Sequence, residues 1–160
     1  MKILFMCRLY WPHVGGVEKH VEKISEILKK KHEITIVCEK HDPLLPDFEQ
    51  QGRGVKIYRI PGSDKWTIWK WWLSHLQLIE QADIIHIHDV FFWFLPFRLP
   101  YWSKRVYMTF HGYEGANAPT WKQVFWHRLA AWLTRGNICI GDFHKKWYHV
   151  KPDFVSYGAA

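Results

Sequence analysis

Two adjacent glycines, Gly15 and Gly16, stand between an apolar run, Ile3-Leu4-Phe5-Met6-Cys7, and an amphipathic stretch that begins at Val17. A helix that opens on glycine offers bare backbone N–H groups and the positive end of its dipole, which is the chemistry that holds a phosphate or diphosphate. Glycine has no Cβ, so a bulky anion can approach the backbone closely. The same pair suits a tight strand-to-helix turn with no ligand, and spacing alone leaves both readings open. His13 lies just before the pair. Further along, Ile85-His86-Ile87-His88-Asp89 sets two histidines on one face of a strand with a carboxylate after them. In Thr109-Phe110-His111-Gly112-Tyr113-Glu114 a histidine leaves a strand beside a glycine, placed to hydrogen-bond a hydroxyl or phosphate. His86, His88 and His111 could be imagined as a three-histidine metal site. A His-x-His pair is a weak signal by itself, and no metal is expected.

These residues need elements to hold them at one edge. Strand-like runs cover Lys2–Cys7, Glu33–Cys38, Val55–Ile60, Ile84–His88, Arg105–Phe110 and Asn137–Ile140, with a weaker one at Phe154–Ser156. They are short and apolar on both faces, as parallel strands covered on both sides should be. Helical stripes lie between them: Val17, Val21, Ile24 and Leu28; Trp66, Trp69, Leu73, Leu76 and Ile79; and Trp121, Phe125, Leu129, Trp132 and Leu133. Asp42–Gly54, with two prolines and two glycines, reads as a loop. The alternation predicts an α/β fold, a Rossmann-like doubly wound parallel sheet of about six to seven strands with helices on both faces. Ligands in such sheets bind beyond the carboxyl ends of the strands. His13, Gly15, Gly16, His88, Asp89, His111, Gly112, Tyr113, Glu114, Gly141 and Asp142 all follow or end strands, so they gather at that edge.

The 160 residues suit one domain, and the 48% hydrophobic and 18% aromatic content exclude a disordered chain. A net charge of +7 favours acidic partners, whether sugar nucleotides, nucleic acid or anionic lipid headgroups. Cys7, Cys38 and Cys139 each sit in an apolar run, which fits reduced thiols in a cytoplasmic protein. No apolar stretch reaches membrane-spanning length. The dinucleotide fingerprint lacks its third glycine, and no phosphate-loop Gly-Lys-Ser/Thr or nucleophile elbow occurs. The eleven tryptophans need a separate reason. Trp66, Trp69 and Leu73 are expected in the core, with Trp71 and Trp72 turned outward. Aromatics alternate with cations from Phe91 to Arg105. Trp71, Trp93, Arg98, Trp102 and Lys104 are therefore expected to form a membrane or lipid-acceptor surface. Stacking on single-stranded nucleic acid is the lesser alternative, and no nucleic-acid partner is expected.

Together, Gly15-Gly16-Val17-Glu18-Lys19-His20-Val21, Ala82-Asp83-Ile84-Ile85-His86-Ile87-His88-Asp89 and Thr109-Phe110-His111-Gly112 resemble the N-terminal domain of glycosyltransferase family 4. These are retaining enzymes of the GT-B fold, with two Rossmann-like domains facing a cleft. The likeness runs from Met1 to about Gly158. It implies that Gly15 and Gly16 approach the donor diphosphate and that His111 lies beside the sugar at the reaction centre, with Gly112 giving clearance. His88 and Asp89, with His13, Tyr113 and Glu114, would line the same cleft toward the acceptor. Ile140-Gly141-Asp142-Phe143 matches a segment that usually carries serine where Gly141 stands. The base, the ribose, a diphosphate-binding Arg/Lys pair and a Glu-x7-Glu motif belong in this family to a C-terminal domain that would begin about where this sequence stops. The resemblance thus implies one Rossmann-like domain over 1–160, completed by that second domain in cis or in trans and nearly inactive alone. It also implies a nucleotide-diphosphate sugar as donor, no obligatory metal, and a glycan or lipid-linked acceptor on the cytoplasmic membrane face. A non-catalytic binding module of the same fold is the alternative.

Overall fold

In β1 (Lys2–Cys7) every residue after Lys2 is buried, so this strand must lie at the centre of a sheet covered on both faces. The computed structural model describes residues 1–52, 54–112 and 118–157. In it, β1 pairs in parallel with β2 (Glu33–Glu39) on one side and with β5 (Ile84–His88) on the other. The remaining strands are β3 (Phe48–Gln51), β4 (Val55–Ile60), β6 (Arg105–Phe110), β7 (Gly136–Ile140) and β8 (Phe154–Ser156). The order is β3-β4-β2-β1-β5-β6-β7-β8, and only β3 runs antiparallel to its neighbour. The chain moves outward from β1 through β2 to β4, then returns to the far side of β1 to begin β5. That reversal opens a crevice at the carboxyl ends of β1 and β5, the ligand position of doubly wound sheets.

Alternation along the strands divides the core in two. Ile3, Phe5 and Cys7 join Ile34, Ile36 and Ile57 under α1 (Gly16–Leu28), whose Val21 is fully buried. Leu4, Met6, Ile85, Ile87, Val106 and Met108 face the other layer. That layer is built from α2 (Lys65–Ser74), α3 (Leu76–Gln81), α4 (Phe91–Arg98), α5 (Trp121–Leu133) and α6 (Phe143–Trp147).

The segment expected to be one loop contains β3. Its four residues, Phe-Glu-Gln-Gln, carry little apolar signal because β3 is an edge strand paired only with β4. Gly52 (φ 56°) and Gly54 (φ 102°) turn the chain back, where a side chain would be strained. The Arg59 side chain is fully buried and donates to Glu49 Oε2 at 2.8 Å, to the Pro46 carbonyl and to the Trp11 carbonyl. One guanidinium thus ties the edge hairpin to the loop that carries Gly15.

Two helices present a different face from the one expected. The α2 stretch is apolar nearly all round, so periodicity could not select its buried side. Asp64 caps it by accepting from the N–H groups of Trp66 and Thr67, and Ser74 and His75 both reach the Trp71 carbonyl and end it. A stripe read straight through into α3 therefore loses register. Ile68 and Trp72 are the fully buried residues, while Trp66 and Leu73 face solvent. Trp72, expected outward, lies in the core. In α5, His127, Ala130 and Leu133 face inward, and Trp121, Phe125 and Trp132 are exposed. The small Ala130 gives the helix a flat face against the sheet, which the larger residues would hold off. Trp72→Ala should cost about 3–5 kcal/mol in urea unfolding. Trp66→Ala should stay within about 0.5 kcal/mol. The opposite ranking would contradict this packing.

Candidate active site

The β1–α1 connection brings the double glycine to the switch point. Gly15 is the extended residue before α1 and has no side-chain cap. Its place is crowded by the Glu18 carboxylate, which folds back over it and also lies 3.1 Å from His13 Nδ1. The positive end of α1 thus already attracts an acid from its own first turn. Gly16 differs: a Cβ there would meet nothing within 4 Å, and the same holds at Gly112. Neither glycine has a positive φ. Nothing in the packing of the described residues demands glycine at either place, and both leave open ground in front of the crevice.

Across that ground stands a cluster of imidazoles. His86 and His88 leave β5 on the α1 face beside Phe5, with ring centroids 4.4 Å apart. His86 Nε2 is held by Thr109 Oγ1 at 2.7 Å. His88 Nδ1 lies 2.8 Å from His111 Nε2, so the two strand exits share one proton. Asp89 closes the connection: its carboxylate accepts the His111 backbone N–H at 3.0 Å. Asp89 sits at φ 59°, a left-handed conformation that Asp tolerates better than most residues and that gathers at functional sites. His20, which the strand-exit reading passed over, completes the group at 4.8 Å from the His111 ring. Its signal was available, since it stands one helical turn after Gly16 and therefore over the same edge.

Burial keeps these rings neutral. It lowers His111 to about 3 and His86 to about 4, and it holds His88 well below its ordinary value. His20 is lowered by the same cause. His144 on α6 is lowered to about 4, again chiefly by burial, and packs against Phe110 and Phe143. One ring nitrogen from each of His20, His88 and His111 lies within 4.8 Å of the others, and the rings are neutral, as metal-ligating imidazoles must be. In this arrangement His88 and His111 bind each other instead, and His86 is engaged by Thr109.

His13 stands apart from the cluster, at the mouth with Glu18. Tyr113 and Glu114 lie outside the described residues. Gly141 has φ 95°, which a serine would adopt only with strain, so glycine there follows from the backbone. The expected lipid surface is largely dismantled. Trp93 is completely buried in the core. Arg98 is buried and donates to the carbonyls of Leu133, Tyr101 and Trp102, so it serves helix ends. Lys104 does the same for the Glu80 and Ala82 carbonyls. Trp71 is half-buried and stacked on His75 at 3.9 Å; of the five, Trp102 alone is largely exposed.

A doubly wound sheet with open glycines and a hydrogen-bonded histidine pair at its switch point defines an α/β protein with a candidate ligand crevice at the carboxyl ends of β1 and β5. The sequence profile of Glycosyltransferase Family 4 matches residues 14–150, and the chain belongs to that family. It is 27% identical over 141 residues to the GDP-mannose:cellobiosyl-diphosphopolyprenol alpha-mannosyltransferase of Xanthomonas campestris, covering 81% of this chain and 36% of that protein. An uncharacterised glycosyltransferase of Methanocaldococcus jannaschii is 25% identical over 100 residues, 62% of this chain and 22% of that one. The chain therefore spans about a third or less of the length of these curated relatives. In three dimensions it resembles sucrose-phosphate synthase from Thermosynechococcus elongatus, with a TM-score of 0.75 at 12% identity over 96% of this chain and 47% of that one. A glycosyltransferase from Rickettsia africae gives 0.62 at 13% identity over 97% of this chain and 41% of that one.

The neutral histidines make stability depend on pH. Unfolded, His86, His88, His111 and His144 take up protons near 6.5, whereas in the fold burial lowers His86 and His144 to about 4 and His111 to about 3, and holds His88 well below its ordinary value. Between those values the unfolded chain binds more protons, so stability falls as pH drops through the window. The urea midpoint should decline steadily from pH 6.5 to about 4, and His86→Gln should flatten that slope. A midpoint indifferent to pH there would contradict the buried, neutral cluster.

Proposed function

We propose that this chain is the acceptor-side domain of a retaining glycosyltransferase, which transfers a hexose-type sugar from a nucleotide-diphosphate donor to an acceptor hydroxyl. The observation that carries the reading is the switch-point crevice, where open backbone at Gly16 and Gly112 faces the His88–His111–Asp89 connection. His111 positions the sugar and the acceptor. Burial, reinforced by the neighbouring imidazoles, holds it neutral, so it offers a hydrogen bond without adding positive charge beside a departing diphosphate. The N-terminus of α1, with Gly15 and Gly16, stabilises that diphosphate. Glu18 must give way over Gly15, or the diphosphate must settle over Gly16. Base, ribose and the remaining charge neutralisation fall to a second, C-terminal domain supplied in cis or in trans, with no obligatory metal.

The acceptor is lipid-linked, and the enzyme works at the cytoplasmic membrane surface. Support comes from the relative whose acceptor is a diphosphopolyprenol, from the +7 charge, and from the exposed aromatics of α5. No helix among the described residues is long and apolar enough to cross a membrane.

The chain alone should show little transfer. Combined with a donor-binding C-terminal half, it should transfer sugar from a panel of nucleotide sugars, and chelation should leave the rate unchanged. His111→Ala should lower kcat/KM by about 100-fold through lost positioning. Silence of the combined halves across the donor panel would favour a non-catalytic binding module instead.

A further inference from the structure

A cavity of about 490 Å³ lies between α2, α4 and α5, on the opposite face of the sheet from the histidine cluster. That volume is within the roughly 300–1,000 Å³ usual for small-molecule sites. Its walls are Trp69, Phe92, Leu95, Met108, Phe110 and Trp126. The Trp69 indole N–H is already satisfied by the Phe92 carbonyl at 3.0 Å, so that wall presents carbon to the interior. Most of the lining is apolar, so a hydrocarbon chain entering it would leave water.

We propose that this cavity holds the isoprenoid chain of the lipid-linked acceptor, a deepening that rests on the transferase reading above. Three features select that occupant. First, Asp89 lines one end, and its carboxylate also holds the His111 backbone N–H. An acceptor with its hydroxyl-bearing head at the reaction centre would therefore pass its tail directly into the cavity. Second, the opposite rim leads to membrane-interface chemistry. Trp126, Phe92 and Trp66 are exposed there, and Lys65 lies over the Trp66 ring at 5.2 Å. On the outer face of α5, Trp121 and Trp132 are each 74% exposed, with Lys122 5.8 Å from the Trp121 ring. Tryptophan beside lysine is the pairing that settles at the headgroup level of an anionic bilayer. Third, the lining is wrong for the alternatives. Eight of the twelve lining residues are apolar and only Lys65, Asp89, Gln123 and His127 are polar, where a sugar would need a denser polar set, and a nucleic acid would need several cations where Lys65 is the one Lys or Arg.

Equilibrium dialysis of the full chain against radiolabelled geranylgeranyl phosphate, kept below micelle-forming concentrations, tests this directly. The unaltered protein should bind saturably, and excess inorganic phosphate should not displace the ligand. Leu95→Trp, which fills the cavity, should weaken binding by about tenfold or more, the loss expected for excluding a few tens of square ångströms of hydrocarbon. Trp126→Ala removes a wall from a residue already 52% exposed and should weaken binding with an unchanged thermal midpoint, so the result does not depend on the core variant folding well. Saturable binding lost in both variants supports the site. Binding equal in all three proteins, complete displacement by phosphate, or no binding by the unaltered protein would overturn it. Because no donor is present, failure here leaves sugar transfer standing. Failed transfer by the combined halves, with lipid binding intact, would count against the transferase reading alone.

Discussion

Parallel pairing of β1 with β5 is the constraint on which the rest of the molecule depends. The register sets Cys7 opposite His88, and the next pairing sets His88 opposite Thr109. Three strand ends therefore finish at one level, and whatever follows them is delivered to a common edge. Because β2 and β4 have already been laid on the other side of β1, the chain must reverse direction to reach β5. The crevice is the gap that this reversal leaves. Gly15 and Gly16 approach it from one bank, and His88, Asp89 and His111 from the other. A slip of one residue in this pairing would turn His86 and His88 into the opposite core layer, against Ile85 and Ile87 of the present one.

The electrostatics of the crevice follow from the same burial. Phe5, α1 and one another leave the imidazoles little water, and they stay neutral. Positive potential on this bank comes instead from the N-terminal backbone of α1 and from Lys19 in its first turn. Glu18, folded over Gly15, already uses part of it. With part of the α1 dipole already engaged, this bank by itself offers limited attraction for an anion.

The eleven tryptophans divide into two jobs. Trp72 and Trp93 fill the layer beneath α2 and α4, where a bulky ring packs more contact into the core than any aliphatic residue can. Trp121, Trp126, Trp132 and Trp66 remain outside, and lysines lie over Trp66 and Trp121. Arg98 and Lys104, close to aromatics in the chain, instead gather carbonyls at helix ends. Nearness in sequence to tryptophan did not decide which cations face solvent.

The parallel strands, their order of appearance and the glycine-led helix were all legible from residue types, because a strand buried on both faces must be apolar throughout and α1 has a clean amphipathic stripe. The edge strand β3 was not legible, since an exposed strand needs no apolar pattern. The inward faces of α2 and α5 were hidden for the opposite reason: too many apolar residues leave several faces equally plausible, and only contact with the sheet chooses one. Among site residues, the sequence alone determined that Gly15, Gly16, His88, Asp89 and His111 end up at a single edge. The tertiary structure decided that His88 and His111 hydrogen-bond each other, that His20 joins them, and that the cavity beside Asp89 is lined mostly by apolar side chains. Those facts depend on distances between segments far apart in the chain, which no local spacing encodes.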